Sequence, residues 1–570
     1  MRGVIAFISR HYPDIQQSRD SHEASCSRVI LFASCFNYCT SRANYSTYPS
    51  LLSTIDGLYT SVCASPYQNE LWIEESRGEG KSVGRLSTSY WVGSVQPLYQ
   101  RATIGTLPDD VLLEIFSLFV EKPYEFDEAP RVGPIDEWYT LRQVCKRWGD
   151  VVSSSPHRLN LRLLCTNRRP VKAMLDVWPT LPIIVWYQRI DGPSRPQMEA
   201  RCADNVISAL QHHDRVCQIN LTGLPVSIMD KLTAMMQERF PSLTRIHLGL
   251  EGNESVLVLL DSFLGGSSPR LRSFHLHNIV FPGLPHLLLS ANDLVDLRLL
   301  EIPYSGYILP QTIVNCLSSL TRLQELRLGL QCPGSYPERS FQPHTRIDLP
   351  CLVRLWFKGN SEYLEDFLAR IDRAPLLHIF EIEFLNHVYF CVLELTGFID
   401  RIEKFRVLDR AEVLLYDIYG KLTLSLQKNT VDETILSAQI ECKPRHSLTL
   451  SPAQFSFLSV LSSLEYLDIS DHQDWPPLWR MDAEDVHWLQ LFRPFSGVKT
   501  LCLSGKPAKH IAWALQELTG ERVAEVLPAL QSIFLQGLKP SKASSVLKAL
   551  KPFIHARRLS GHPVVVRRSG

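Results

Sequence analysis

The side chains best equipped for chemistry fall into two groups: scattered metal- or phosphate-type residues, and a column of bases. Cys26, Cys35, Cys39 and Cys63, with His22 close by, are the residue types that hold zinc, but their spacing forms no paired two-residue knuckle. Arg77-Gly78-Glu79-Gly80-Lys81-Ser82 ends like a phosphate loop. It lacks the first glycine at the required distance and has no strand before it, and reads as a linker. His212-His213-Asp214 falls in an expected turn and resembles a metal cluster only by composition. There is no Gly-x-Ser-x-Gly elbow, and no cysteine has an identifiable activating context. The expectation is no catalytic residue, no metal and no cofactor. The second group is His247, His275, Arg298 and Arg327, which recur at one position of a repeated string, with Trp356 next and Arg354 and Lys358 beside it. Aligned on one face, they would suit an acidic or phosphorylated protein segment, held by charge-assisted bonds to arginine. Asp296 and Glu325, two residues before the arginines, offer the alternative of internal neutralisation.

The elements that must position this column are strands of the pattern apolar-x-x-apolar-x-apolar. They begin at Val216, Leu243, Leu271, Leu294, Leu323, Leu352, Leu377, Ile402, Leu464, Val498 and Leu530. Successive starts lie 23 to 34 residues apart, except for one gap of 62. That gap reads as two repeats with a diverged strand near Ser447-Leu448-Thr449-Leu450. Such a period is the signature of leucine-rich repeats, whose stacked strands form one sheet of an α/β horseshoe. Strand side chains alternate between faces, so the fifth position of each string points away from the leucines. The column then continues through Glu381, Arg406, Asp468, Cys502 and Phe534. Amphipathic helices are expected between strands at Ile228–Phe240, Ser255–Leu264, Thr312–Leu320 and Tyr363–Ala374. Arg158–Leu163 and Leu181–Trp186 read as earlier strands, with a short helix at Val171–Trp178 between them. Asp471 to Trp488, carrying Trp475, Trp479 and Trp488, reads as a long loop at the solenoid end or a second binding loop.

The chain has 570 residues with 59 basic and 59 acidic side chains, so no global field favours nucleic acid or membrane. No apolar run is long enough to span a bilayer. The 14 cysteines suit reduced core positions in a cytoplasmic and/or nuclear protein. Residues 1–98 are rich in Ser, Thr, Tyr and Asn without periodicity and read as largely disordered. The pairs Arg557-Arg558 and Arg567-Arg568 read as a solvated basic tail or a nuclear address.

Ahead of the repeats, Leu107 to Val152 encodes helices. Thr106, or alternatively Leu107, caps the first, with Pro108 in its first turn and Asp109 and Asp110 at the positive end of its dipole. From Val111 to Val120 the residues are apolar round most of the circumference, so this helix should bury one face in its own module and offer another to a partner. Leu141, Val144, Cys145, Trp148, Val151 and Val152 fall at helical spacing on one side of a second helix, ended by Ser153-Ser154-Ser155-Pro156.

The string Leu107-Pro108-Asp109-Asp110, the apolar run, and Val144-Cys145-Lys146-Arg147-Trp148 together resemble an F-box. Three C-terminal strings, Trp488–Phe495, Gly520–Leu530 and Arg558–Val564, resemble the end of fungal F-box proteins with degenerate leucine-rich repeats. The resemblance covers about residue 105 to the end. It implies an all-helical F-box over 104–156 and an α/β solenoid over 157–570. It also implies docking to a Skp-type adaptor and through it to cullin, with a protein target on the solenoid. In that reading Leu107, Pro108, Leu112, Ile115, Phe116, Val144, Cys145 and Trp148 hold the adaptor or close the F-box core, and sequence does not divide the two roles. The chain departs from the family at Glu121–Thr140, a long loop in place of a short one. A leucine-rich scaffold or small-ligand receptor, or an adaptor complex without ligase activity, are the rival readings.

Overall fold

The computed structural model describes residues 107–120, 137–166, 180–187, 196–250, 256–331, 346–384, 392–416, 421–427, 435–441, 458–471, 488–518 and 520–568, with 172, 175, 176 and 178. Residues 1–98 with their cysteines and glycine-lysine-serine string, Thr106, most of the 121–140 loop, Ser447–Leu450, Trp475 and Trp479 lie outside these. The described residues form two compact units, one of 107–120 and 137–159, the other from Asn160 onward.

The first unit has three helices, α1 (Asp109–Val120), α2 (Glu137–Val144) and α3 (Lys146–Ser154). α1 begins one residue later than its sequence suggests. Pro108 is the residue before the helix, and its carbonyl accepts the first turn's bond from the Leu112 amide at 3.1 Å, which needs no N–H from proline. The expected single second helix is two. Cys145 has extended backbone (φ −159°, ψ 167°) and breaks it. Gly149 permits the close approach across that break, since a Cβ there would stand 3.2 Å from the Arg142 carbonyl oxygen.

The second unit is built on a 16-stranded open sheet. Its strands are β1 (Leu163–Thr166), β2 (Ile183–Tyr187), β3 (Val216–Leu224), β4 (Arg245–Leu250), β6 (Ser273–His277), β8 (Asp296–Ile302), β9 (Glu325–Leu330), β11 (Arg354–Gly359) and β13 (Ile379–Phe384). Then come β14 (Arg410–Tyr416), β15 (Lys421–Gln427), β16 (Ile435–Glu441), β17 (Tyr466–Asp471), β18 (Thr500–Ser504), β19 (Ser532–Gln536) and β20 (Val565–Arg568). Two short pairs, β5 (Leu257–Val258) with β7 (Ile279–Val280) and β10 (Ile347–Asp348) with β12 (Ile371–Arg373), stand apart from it. The connecting helices are α4 (Pro196–Leu210), α5 (Val226–Ala234), α6 (Leu284–Ser290), α7 (Pro310–Leu317), α8 (Ser361–Leu368), α9 (Leu393–Arg401), α10 (Trp488–Phe492), α11 (Pro507–Gln516) and α12 (Pro540–Leu559).

The repeated apolar positions explain the register. Leu248, Leu276, Leu299, Leu328, Phe357 and Ile382 are successive partners on neighbouring parallel strands and all are buried. At about 1.5–3 kcal/mol for each fully buried large aliphatic or aromatic side chain, this column is a principal source of the unit's stability. β11, β18 and β19 alternate buried with half-exposed or exposed residues, so there the helices cover one face only. Long-range capping ties repeats together. The buried carboxylate of Glu365 on α8 accepts the amides of Glu394 and Leu395 at 3.0 and 2.8 Å, satisfying donors that the first turn of α9 cannot pair itself.

Several expected elements differ. Of the first alternating stretch, Arg158–Leu163, only Leu163 is strand, because Asn160 turns the chain with φ 48°; β1 runs on from there to Thr166. Of the helix expected at Ser255–Leu264, the described residues 256–264 are not α-helical; they hold β5 and enter a 3-10 turn, Phe263–Gly266. The string at Ile402 is a 3-10 turn, Glu403–Val407, with Val407 exposed, so Arg406 is not on the sheet. The strand follows as β14, with Ala411 and Val413 in the buried positions. The gap of 62 is filled by an antiparallel excursion. β13 pairs in parallel with β16, β16 and β14 both pair antiparallel with β15, and β14 returns to parallel pairing with β17. Trp488 is no loop residue; it is buried at the start of α10 and stacks on Phe492. Among the described residues no helix is long and apolar enough to cross a membrane.

Candidate functional site

The first unit sorts its eight singled-out residues by exposure. Leu112, Phe116 and Trp148 are buried, and the Phe116 and Trp148 rings meet edge to face at 4.8 Å. Trp138, which falls within the expected 121–140 loop, is buried as well. Pro108 and Cys145 are exposed, and Leu107, Ile115 and Val144 are half-buried. Val111, 40% exposed, falls with Pro108 and Ile115 at helical spacing, about a third of a turn round from the buried side. α1 therefore presents an apolar ridge outward in addition to the face it buries. Its polar side is tied down: Arg158 reaches Asp110 and Glu114, each at 2.9 Å. Arg147 at the start of α3 pairs with Asp109 at 2.7 Å and donates to the Leu107 carbonyl. Such exposed pairs contribute about 0–1 kcal/mol each. Their effect is to fix where the ridge begins.

On the sheet, register brings His247, His275, Arg298, Arg327, Trp356 and Glu381 into one column of cross-strand partners. The next members are Ser437, Ser425, Glu412, Asp468, Cys502 and Phe534. The excursion β14–β16 supplies the first three of these in place of Arg406. The basic run is not a free cationic strip. The Asp296 carboxylate lies 2.6 Å from His275 Nε2 and 3.1 Å from Arg298 Nε. Glu325 lies 3.3 Å from Arg298 and 2.6 Å from Arg327. Lys358 pairs with Glu301 at 2.9 Å and Glu383 at 3.4 Å. Two arginines thus face two carboxylates, which is the neutralisation that Asp296 and Glu325 offer. Burial alone would push the Asp296 carboxyl up, but His275 and Arg298 together outweigh it and hold it below the ordinary range.

Ser273, His275 and Asp296 have the membership of a hydrolytic triad without its geometry. Ser273 Oγ, at 3.0 Å, and Asp296 both approach the same imidazole nitrogen, Nε2, whereas proton relay needs the nucleophile and the orienting acid on opposite nitrogens of the base. Burial pushes the Cys165 thiol up to about 12 and the Cys316 thiol to about 11, so neither supplies a thiolate near neutrality.

Further along the column, burial outweighs the Arg410 guanidinium at 3.4 Å and raises the Asp468 carboxyl above its ordinary range. A raised folded-state value means that the folded protein binds this proton more tightly than the unfolded chain. Stability from this group therefore falls as pH rises through the interval between the two values, and the loss is complete at neutral pH. Asp468→Asn is expected to raise the melting temperature at pH 7 and to leave it unchanged near pH 3. A variant that melts lower at pH 7 would show that the Arg410 pair outweighs desolvation.

No curated protein matches the chain. Residues 104–161, which span α1, α2 and α3, match the family described as F-box-like, so the chain carries an F-box-like domain ahead of its sheet unit.

Proposed function

We propose that this chain is the target-recognition subunit of a Skp–cullin–F-box ubiquitin ligase, acting in the cytoplasm or nucleus. The F-box-like helices dock on a Skp-type adaptor. The sheet unit is a leucine-rich-repeat solenoid whose uncovered face holds a protein target. The chain performs no bond chemistry itself; it contributes proximity and orientation. The observation that supports this reading best is the outward apolar ridge of Pro108, just before α1, with Val111 and half-buried Ile115 on it, inside the stretch that matches the F-box-like family. Apolar side chains left exposed in a row on a short helix suit a protein partner.

The test is co-purification of the full chain with a Skp-type adaptor and cullin, beside a Val111→Asp/Ile115→Asp variant. Placing charges at two central interface positions is expected to cost at least about 2 kcal/mol, roughly thirtyfold in adaptor affinity, with the melting curve of the variant preserved. Equal capture by both proteins would remove the ridge from the interface. Capture of the adaptor without cullin would favour an adaptor complex that is not a ligase.

A further inference from the structure

Where the neutralised ladder ends, the sheet face opens into a pocket of about 260 Å³ lined by Arg327, Arg354, Trp356, Ile379, Glu381 and Ile435. Each wall has a definite chemistry. Arg327 is anchored through Nε by Glu325 at 2.6 Å, and its side chain stays 32% exposed. Arg354 is exposed and has no ion-pair partner among the described residues. The Trp356 indole lies over Gly329, where a Cβ would come within 3.2 Å of the ring; glycine there makes room for it. Ile379 and Ile435 are cross-strand partners and supply an apolar patch beside the two guanidiniums.

The charge count selects among anions. Arg327 and Arg354 face Glu325 and Glu381, so the surroundings are balanced. A single carboxylate can take up the unpaired Arg354 at little further cost. A phosphate dianion would set two charges beside two fixed carboxylates. The volume selects further. It lies below the ~300–1,000 Å³ of ordinary small-molecule sites and suits one residue rather than a folded surface. That one residue must bring a carboxylate for the arginines and an apolar group for Trp356 and the isoleucines. Internal aspartate or glutamate carries its carboxylate as the side chain and has no second group to fill the apolar part. Within a protein chain, only the carboxyl end carries a carboxylate and an apolar side chain on the same α-carbon.

We propose that this pocket takes the carboxyl-terminal residue of a target protein, one with an apolar side chain. The terminal carboxylate pairs with Arg354 and Arg327. The side chain lies against Trp356, Ile379 and Ile435. Glu381 accepts the N–H of the last peptide group. The inference rests on the reading of the sheet unit as the target-presenting part, but binding at the pocket is measured without any adaptor.

The experiment is fluorescence anisotropy of the full chain with labelled hexapeptides Gly-Ser-Gly-Ser-Gly-X, where X is Leu, Ile, Val, Met or Phe. Each is made with a free carboxylate and with an amide end. Amidated peptides carrying an internal Leu-Asp pair or a phosphoserine complete the set. The free acids are expected to bind, and amidation to weaken them at least about tenfold, roughly 1.4 kcal/mol. Arg354→Glu should weaken them as much. Gly329→Val, which displaces the indole, should weaken them too, and Arg322→Glu, at an exposed pair with Asp293 elsewhere, should not. Arg354 is exposed, so loss of binding with an unchanged melting curve reports on the pocket and not on folding. Equal binding of acid and amide, indifference to Arg354→Glu, tighter binding of the internal acidic or phosphoserine peptide, or no binding of any free acid at millimolar concentration would each overturn the proposal. Adaptor capture by the same preparation reports separately: capture without peptide binding defeats the pocket alone, and peptide binding without capture defeats the adaptor reading alone.

Discussion

Replacing Phe116 with alanine is expected to unfold the three-helix unit at 25 °C, not merely to loosen it. Phe116 is fully buried and closes the core against Trp148 at 4.8 Å. Removing a buried phenylalanine costs about 3–5 kcal/mol, and the lost edge-to-face pair adds about 0.5–1.5 kcal/mol. Folded domains hold only about 0.05–0.15 kcal/mol per residue, which for a unit of this size is roughly 3–8 kcal/mol. The cost is therefore comparable with the whole stability of the unit. Hydrogen exchange followed by mass spectrometry checks it: peptides covering 109–120 and 138–154 should exchange as fast as an unfolded chain in Phe116→Ala, and as slowly as wild type in Ile115→Asp. Native protection in Phe116→Ala would mean that other side chains carry this core. The contrast matters for function. On the proposed function, a substitution at Phe116 is expected to abolish adaptor docking whether or not Phe116 touches an adaptor, whereas substitutions at Val111 and Ile115 are expected to change docking alone.

The division of roles within these helices was out of reach of the sequence for a physical reason. Leu112, Ile115 and Phe116 are equally apolar and sit within one turn, and only the placement of α2 and α3 decides which side is covered. The break at Cys145 was hidden because the apolar spacing from Leu141 to Val152 continues across it. Gly149, a poor helix former in the middle of that run, was the available signal, and it stands where the chain folds back to the Arg142 carbonyl. On the sheet, legibility was higher. The leucine spacing placed the strands, and two-residue alternation placed the fifth-position column, which register pairs strand by strand as far as Glu381. It failed at Ile402, where Ile402 and Phe405 supply the right apolar pair for a turn as well as for a strand. The true strand holds Ala411 and Val413, a weaker pattern. An antiparallel excursion has the same two-residue period as the parallel strands it interrupts, so periodicity alone does not reveal it. The charge of the face was legible only in part. Arginines two residues after acids, Asp296 before Arg298 and Glu325 before Arg327, place both signs on one side of the strand, and the structure pairs them.

Arg557 shows the same limit at the C-terminal end and carries the second large expected effect. A pair of arginines near a terminus reads as solvated, yet Arg557 is completely buried, while Arg558 is exposed. The signal was its spacing. Val546, Leu550, Phe553 and Arg557 follow one another at helical intervals on the buried side of α12. Its guanidinium donates to the carbonyls of Val523, Pro528 and Leu530 at 3.4, 3.1 and 2.9 Å, holding the turn that leads into β19. Burial lowers its pKa, but guanidinium stays protonated at any ordinary pH, so the charge is kept and the carbonyls pair its two terminal nitrogens, leaving Nε without a hydrogen-bond partner among the described residues. Arg557→Ala removes these donors and opens a cavity. At about 1–3 kcal/mol for each buried polar group left unpaired, the loss is expected to reach about 3–5 kcal/mol, read as a lower urea midpoint. Arg557→Lys should recover less than half of it, because an ammonium cannot present a planar fork to separate carbonyls. Arg557→Met separates the causes, since it restores much of the volume and none of the donors. If the methionine variant is as stable as wild type, packing alone is what Arg557 contributes and the hydrogen bonds carry nothing. If it falls with alanine, the turn before β19 is held by the donors.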